Sequence, residues 1–120
     1  MTSRIVLIED DPDIAELVAE VLTEEGHSVE IHERLAEGAV DAQVHLVITD
    51  LFVVRGYDLQ VARDWISRVR TAFPNAAVVV STAHDPAATD GAPALGADAL
   101  VLKPFDIGVL TETVESLLGA

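Results

Sequence analysis

Five short apolar runs punctuate the chain, at residues 5–8, 29–31, 46–48, 77–80 and 100–102, and each reads as a strand. The first, third and fourth are continuous rather than alternating, the pattern of strands covered on both faces, so they are expected at the centre of a sheet. The second alternates as Ser28-Val29-Glu30-Ile31-His32, which suits an edge or half-covered position. Between these runs apolar residues recur at helical spacing, at Ile14, Leu17, Val18, Val21 and Leu22, then at Leu59, Ala62, Trp65, Ile66, Val69, Ala72 and Phe73, and again at Ile107, Leu110, Val114, Leu117 and Leu118. Asp13 with Glu16 three residues on, Asp85-Pro86 and Asp106 mark helix starts, and Gly26 closes the first helix. Residues 34–41 and 86–95 are weaker helical segments, interrupted by Gly38, Gly91 and Pro93, and are expected to be short.

Strand alternating with helix predicts an α/β fold of three layers, α/β/α, in which a parallel sheet with right-handed crossovers carries helices on both faces. The 120 residues, half of them apolar, fit a single domain over residues 1–120, with no repeat or linker. No run approaches the roughly 20 apolar residues of a membrane span, and the apolar start meets Glu9-Asp10-Asp11 too soon for a signal peptide. The lack of cysteine rules out disulfides and thiolate zinc sites and agrees with a cytoplasmic location. Seven basic against 21 acidic residues leave a net charge of −14, which repels phosphate backbones and anionic lipid, so neither direct nucleic-acid nor membrane binding is expected. Acids outside clusters are read as solvated surface.

In a parallel α/β sheet the loops after the strands gather on one edge, and ligands bind there. At that edge the chain places Glu9-Asp10-Asp11 after the first strand, Asp50 after the third, Ser81-Thr82 after the fourth and Lys103-Pro104 after the fifth. Carboxylates brought together from separate strands repel one another unless a hard cation sits among them, and an oxygen-only donor set favours Mg²⁺ over zinc. Lys103 offers a compact positive charge and Thr82 a hydroxyl, the groups that hold the oxygens of a transferred phosphoryl, which leaves Asp50 as the nucleophile. Taken singly, Asp50 reads equally as a helix-side cap, Thr82 as a strand-end hydroxyl and Lys103 as a surface cation. Their joint placement on one edge favours chemistry.

Five stretches, Val6-Leu7-Ile8-Glu9-Asp10-Asp11, Leu46-Val47-Ile48-Thr49-Asp50-Leu51, Ser81-Thr82-Ala83, Leu95-Gly96-Ala97-Asp98 and Lys103-Pro104-Phe105, follow successive elements in order. Together they make the chain resemble the receiver domain of bacterial two-component response regulators, essentially from Arg4 to Leu118. The resemblance implies a five-stranded parallel sheet of flavodoxin-like order 2-1-3-4-5. It also implies a phosphorylation-dependent signalling switch that is no enzyme in the ordinary sense, since it catalyses only its own aspartyl phosphorylation and dephosphorylation. By the same resemblance Asp50 accepts a phosphoryl group from a sensor histidine kinase or a phosphotransfer protein, and Glu9 and Asp10 hold Mg²⁺, Asp10 directly and Glu9 through water. The backbone carbonyl of Phe52 completes the protein ligands to the metal beside Asp50, Thr82 moves onto the phosphoryl group, and Lys103 pairs with it. Asp11 lies outside the acidic pair and reads as a helix-entry residue beside Pro12. The signal would pass to a downstream protein or a fused effector, a homodimer being one arrangement the resemblance allows.

The chain departs from the family pattern at several places. Val54 and Asp58 stand where Pro and Gly usually follow the phosphoacceptor, with the glycine earlier at Gly56, and Val53-Val54 reads equally as a kinase contact and as inward packing. At the switch position usually held by an aromatic ring or histidine there is Leu100, which cannot report movement of Thr82 by a ring flip. Phe52 and His84 occupy the two positions that tune water attack on the aspartyl phosphate. An apolar Phe52 cannot orient water, so the phosphorylated state is expected to be long-lived. Phe52→Asn should then speed phosphate release from the loaded protein, and an unchanged release rate would count against this reading. His84 is read first as an exposed loop residue and second as a group that orients water.

Two other classes compete. A receiver-like fold working purely as an interaction module is opposed by the intact set Glu9, Asp10, Asp50, Thr82 and Lys103. A phosphatase of the aspartate-nucleophile class needs a second Asp two residues after the nucleophile, where Phe52 stands, and usually carries its nucleophile after the first strand. His27, His32 and His45 lack metal spacing and are read as surface residues, Trp65 as core, and Ser81, His84 and Asp85 as too close together for a triad.

Overall fold

A computed structural model describes residues 3–35, 38–51, 57–83, 85–103 and 106–119. Its strands are β1 (Arg4–Ile8), β2 (Ser28–His32), β3 (Leu46–Thr49), β4 (Ala77–Thr82) and β5 (Ala99–Leu102). They pair in parallel in the order β2-β1-β3-β4-β5, the flavodoxin-like arrangement expected. The helices are α1 (Pro12–Glu24), α2 (Leu59–Ala72), α3 (Asp85–Asp90), α4 (Ala92–Leu95) and α5 (Ile107–Leu118).

Strand side chains alternate between faces, and the continuous apolar runs of β1, β3 and β4 therefore feed two cores. Ile5, Leu7, Leu46, Ile48 and Val79 pack with Ala15, Val18 and Leu22 of α1 and Leu110 and Val114 of α5. Val6, Ile8, Val47, Val78 and Val80 pack with Ala62, Ile66 and Val69 of α2, with Ala87 of α3 and with Leu95 of α4. Full burial of each valine, leucine or isoleucine among them is worth about 1.5–3 kcal/mol. These two layers thus secure the strand ends, where charged groups meet at a cost.

The alternating second strand lies on an edge, as its pattern predicts. Ser28 and Glu30 register with Arg4 and Val6, so they face the side on which α2 packs. The connection from β2 to β3 has no helix among its described residues, contrary to the short helix expected over 34–41. Polar residues take the place of a helical cover: the Arg4 guanidinium reaches Glu30 at 3.3 Å and Asp41 at 2.8 Å. The segment 86–95 forms two short helices, α3 and α4, which part at Gly91, whose φ is 85°.

Helix starts follow side-chain capping. Asp11, not Asp13, is the N-cap of α1, accepting from the amides of Asp13 and Ile14 with Pro12 in the first turn. Proline suits that position because its missing N–H would have no intrahelical partner. Asp58, a departure from the family pattern in sequence, is the N-cap of α2 and accepts from Val61 N at 3.1 Å. Leu17 is 53% exposed, because Ala15, Val18 and Leu22 define the buried stripe of α1. His27 is another correction. It is buried rather than on the surface, with Nε2 2.6 Å from Glu115 Oε1, joining the α1–β2 turn to α5.

Tyr57 lies against the α2-side core and donates its hydroxyl hydrogen bond to Asp90 Oδ2 of α3 at 2.7 Å. Burial first, then that bond and the Asp90 charge, push its phenol up to about 12. A raised folded-state value means that the contribution to stability is whole below the ordinary tyrosine range and is lost as pH rises through about 12. Tyr57 is the only tyrosine of the chain, so alkaline ultraviolet titration reads it alone. The expected midpoint lies near 12. A midpoint at the ordinary value of about 10 would mean that neither the burial of Tyr57 nor its bond to Asp90 holds in solution.

Candidate functional site

The carboxyl ends of β1, β3 and β5 bring Glu9, Asp10, Asp50 and Lys103 to one place, with Thr82 at the end of β4 beside them. Beyond β1, Glu9 N donates to the His32 carbonyl at 3.1 Å, which extends the sheet and turns the Glu9 side chain inward. Glu9 is 4% exposed. Its Oε2 accepts from the Asp10 amide at 3.0 Å, and its Oε1 receives the Lys103 ammonium. Asp10, next along, is exposed. Asp50 is anchored by its N–H to the Ile8 carbonyl at 3.1 Å, and its Oδ2 lies 2.8 Å from Lys103 Nζ. Thr82 is fully buried at the end of β4, and its carbonyl accepts from the backbone N–H of Lys103 at 2.7 Å, which fixes where the lysine side chain begins.

One ammonium thus bridges two carboxylates, and its side chain is only 12% exposed. Burial alone would lower the Lys103 amine, but the hydrogen bonds it donates to Asp50 and Glu9 outweigh it and hold the amine above its ordinary value. Glu9 is pushed above the usual carboxylate range, chiefly by burial and further by the Asp50 charge, against the downward pull of Lys103. The site therefore contains more negative charge than a single lysine offsets.

Carboxylate oxygens of Glu9, Asp10 and Asp50 all lie within 4.8 Å of one another. Oxygens around a six-coordinate Mg²⁺ at about 2.1 Å stand roughly 3 to 4.2 Å apart, so this cluster is near the size of such a shell. A hard, oxygen-only donor set without His or Cys suits that ion. The residues present fit it: Asp10 is exposed, Asp50 is part-buried beside Lys103, and Glu9 is engaged on both its oxygens.

The structure brings together Glu9, Asp10, Asp50 and Lys103, with Thr82 joined to Lys103 through the backbone. Leu100 is half-buried in β5 against the α2-side core, in register with Val80. Phe52 and His84, and with them Val53, Val54, Gly56, Pro104 and Phe105, lie outside the described residues. The sequence reading missed a second layer behind Asp50: Trp65 Nε1 donates to Thr49 Oγ1 at 2.9 Å, and Thr49 Oγ1 donates to the Asp50 carbonyl at 2.7 Å. A threonine in an otherwise aliphatic strand, facing the one tryptophan on the next helix, was the available signal.

Fold and site together define a doubly wound α/β domain with an acid–lysine cluster at the carboxyl edge of its sheet. A family model described as the response regulator receiver domain matches residues 5–115, and the chain belongs to that family, the receiver domains of two-component response regulators. Such domains are signalling switches rather than enzymes with a turned-over substrate. Among solved structures, a response regulator from Thermotoga maritima aligns over 100% of both chains at 23% identity with a TM-score of 0.76. TrrA, a response regulator from the same organism in complex with Mg²⁺–BeF, aligns over 96% of this chain and 98% of its own at 29% identity and 0.69. The BeF₃-activated N-terminal receiver domain of RstA from Klebsiella pneumoniae aligns over 97% and 98% at 22% identity and 0.71. No curated protein matches the chain. No helix among the described residues is long and apolar enough to cross a membrane.

Proposed function

We propose that this chain acts as a single domain that accepts a phosphoryl group on Asp50, from the phosphohistidine of a sensor kinase or a phosphotransfer protein, and passes the signal to a downstream protein or fused effector in the cytoplasm. The observation that carries the reading is the Lys103 ammonium bridging Glu9 and Asp50, with Asp10 in the same carboxylate cluster. In the reaction an Asp50 carboxylate oxygen forms the new P–O bond as the P–N bond to the donor imidazole breaks, and the imidazole leaves with the electron pair. Lys103, already 2.8 Å from Asp50 Oδ2, is placed to hold a phosphoryl oxygen once the acceptor carries the group. Thr82, at the end of the neighbouring strand, is the hydroxyl assigned to a second oxygen.

Asp10 and Asp50, with Glu9 behind them, would hold Mg²⁺, and the bound ion would supply positive charge against the phosphoryl oxygens. The net charge of −14 argues for protein partners rather than nucleic acid or anionic membrane. Incubation with acetyl phosphate and Mg²⁺ followed by intact-mass measurement tests the reading. The expected result is a gain of one phosphoryl group, and a chain that stays unmodified would overturn it.

A further inference from the structure

The backbone of Asp50 is held from both sides. Its N–H donates to the Ile8 carbonyl at 3.1 Å, and its C=O accepts from Thr49 Oγ1 at 2.7 Å. Thr49 registers with Ile8 and Val80, so its side chain points to the face covered by α2, where it is fully buried. There it accepts from Trp65 Nε1 at 2.9 Å. An indole N–H only donates and a carbonyl only accepts, so Thr49 Oγ1 accepts from Trp65 and gives its single proton to the Asp50 carbonyl. The direction of the line is fixed: Trp65 to Thr49 to Asp50. Where the carbonyl points sets ψ of Asp50, and Leu51, which follows, is 4% exposed and leaves little room for another setting.

We infer that Thr49 and Trp65 are positioning residues for phosphoryl transfer. They lock the peptide that follows the nucleophile, so that its carboxylate faces Lys103, and they tie any shift of that peptide to α2. The inference rests on the reading of Asp50 as phosphoryl acceptor. It supplies a route from the site into a helix in a chain whose Leu100 has no ring to turn. Trp65 also reports on the route: it is the sole tryptophan, with the Arg68 guanidinium 5.3 Å from its ring centroid, so a change in the line alters the surroundings of one fluorophore.

The test uses the whole chain with acetyl phosphate and Mg²⁺, following intact mass and tryptophan emission on one time course. Wild type is expected to gain a phosphoryl group with a parallel change in emission. Thr49→Val, similar in shape but without the hydroxyl, should take up phosphoryl roughly tenfold more slowly, on the scale of a small misplacement of a reacting group. Thr49→Ser, which keeps the hydroxyl, should remain near wild type, and Trp65→Phe should be slowed like the valine variant. No mass gain in wild type would remove the proposed function and this inference with it. A mass gain in wild type with Thr49→Val at the wild-type rate, or with Thr49→Ser slowed as much as Thr49→Val, would overturn the positioning role alone. An unchanged emission in phosphorylated wild type would do the same for the tie to α2. Should Thr49→Val fail to fold by circular dichroism, Trp65→Phe decides, and a wild-type rate there overturns the inference.

Discussion

Replacing Asp50 by asparagine is expected to abolish phosphoryl uptake and to leave a folded domain that is more stable than the parent at neutral pH. The amide has nearly the shape of the carboxylate but lacks the anionic oxygen whose electron pair forms the new P–O bond, so no acceptor remains. Asp50 stands on a strand end whose backbone bonds, from its N–H to Ile8 and from Thr49 to its carbonyl, do not involve the carboxylate. The fold should therefore tolerate the exchange. Stability should rise because one of three clustered carboxylates disappears, while Lys103 keeps Glu9 as a partner. The intact mass after acetyl phosphate and Mg²⁺ is the direct readout, with a denaturant midpoint measured beside it. A phosphoryl group found on the variant, at Asp10 or elsewhere, would show that Asp50 is not the acceptor.

Most of the fold was legible because the chain writes it in two simple periods. Continuous apolar runs flanked by helical stripes leave a sheet covered on both sides as the only way to bury Ile5, Val47, Val79 and their neighbours. The edge position of β2 was legible for the same reason, since the polar alternation at Ser28, Glu30 and His32 matches a face without a helix. What failed was decided by interactions between segments distant in sequence. Nothing local marks His27 as buried, because its partner Glu115 lies on the last helix. Over 34–41 the described residues form no helix, and Asp41 pairs there with Arg4 of β1. Asp58 looked like a missing glycine until its carboxylate was seen capping α2.

The site was legible one layer deep. Glu9, Asp10, Asp50, Thr82 and Lys103 are strand-end residues, and a parallel sheet delivers strand ends to one edge whatever the details of packing. The layer behind them was not, because hydrogen bonding between Thr49 and Trp65 depends on how α2 is rotated against β3. That rotation follows from the stripe Ala62, Ile66 and Val69 pressing into the α2-side core. A helical period gives the stripe, but it does not say which strand residue each helix residue meets.

Lys103→Met should lower reactivity and stability together. Removing a positioned donor to a developing oxyanion costs roughly 10²–10³ in rate, so phosphoryl uptake should become slow while Asp50 is still present to accept. In the resting protein the same change strands Glu9, 4% exposed, beside Asp50 with no ammonium between them. Breaking a buried pair from one side costs about 3–5 kcal/mol, and partial exposure of Asp50 brings the expected loss at neutral pH to about 2–3 kcal/mol.

The pH dependence identifies charge as the cause. Glu9 already titrates above the usual carboxylate range through burial and the Asp50 charge, and without Lys103 it should rise further. A raised folded-state value means that Glu9 favours the fold fully below its unfolded value and loses that contribution as pH climbs through the folded one. The deficit of the variant should therefore shrink as pH falls from neutral toward the ordinary glutamate value. At the other end the wild-type amine is itself raised, after its bonds to Asp50 and Glu9 overcome burial. Its contribution is whole below the ordinary lysine value and disappears as pH rises through the raised one, so wild type and variant should converge again in strong alkali. Denaturant unfolding across this range measures the difference directly. A deficit that stays constant with pH would assign the loss to packing of the lysine stem and remove Lys103 as the charge that balances the acidic cluster.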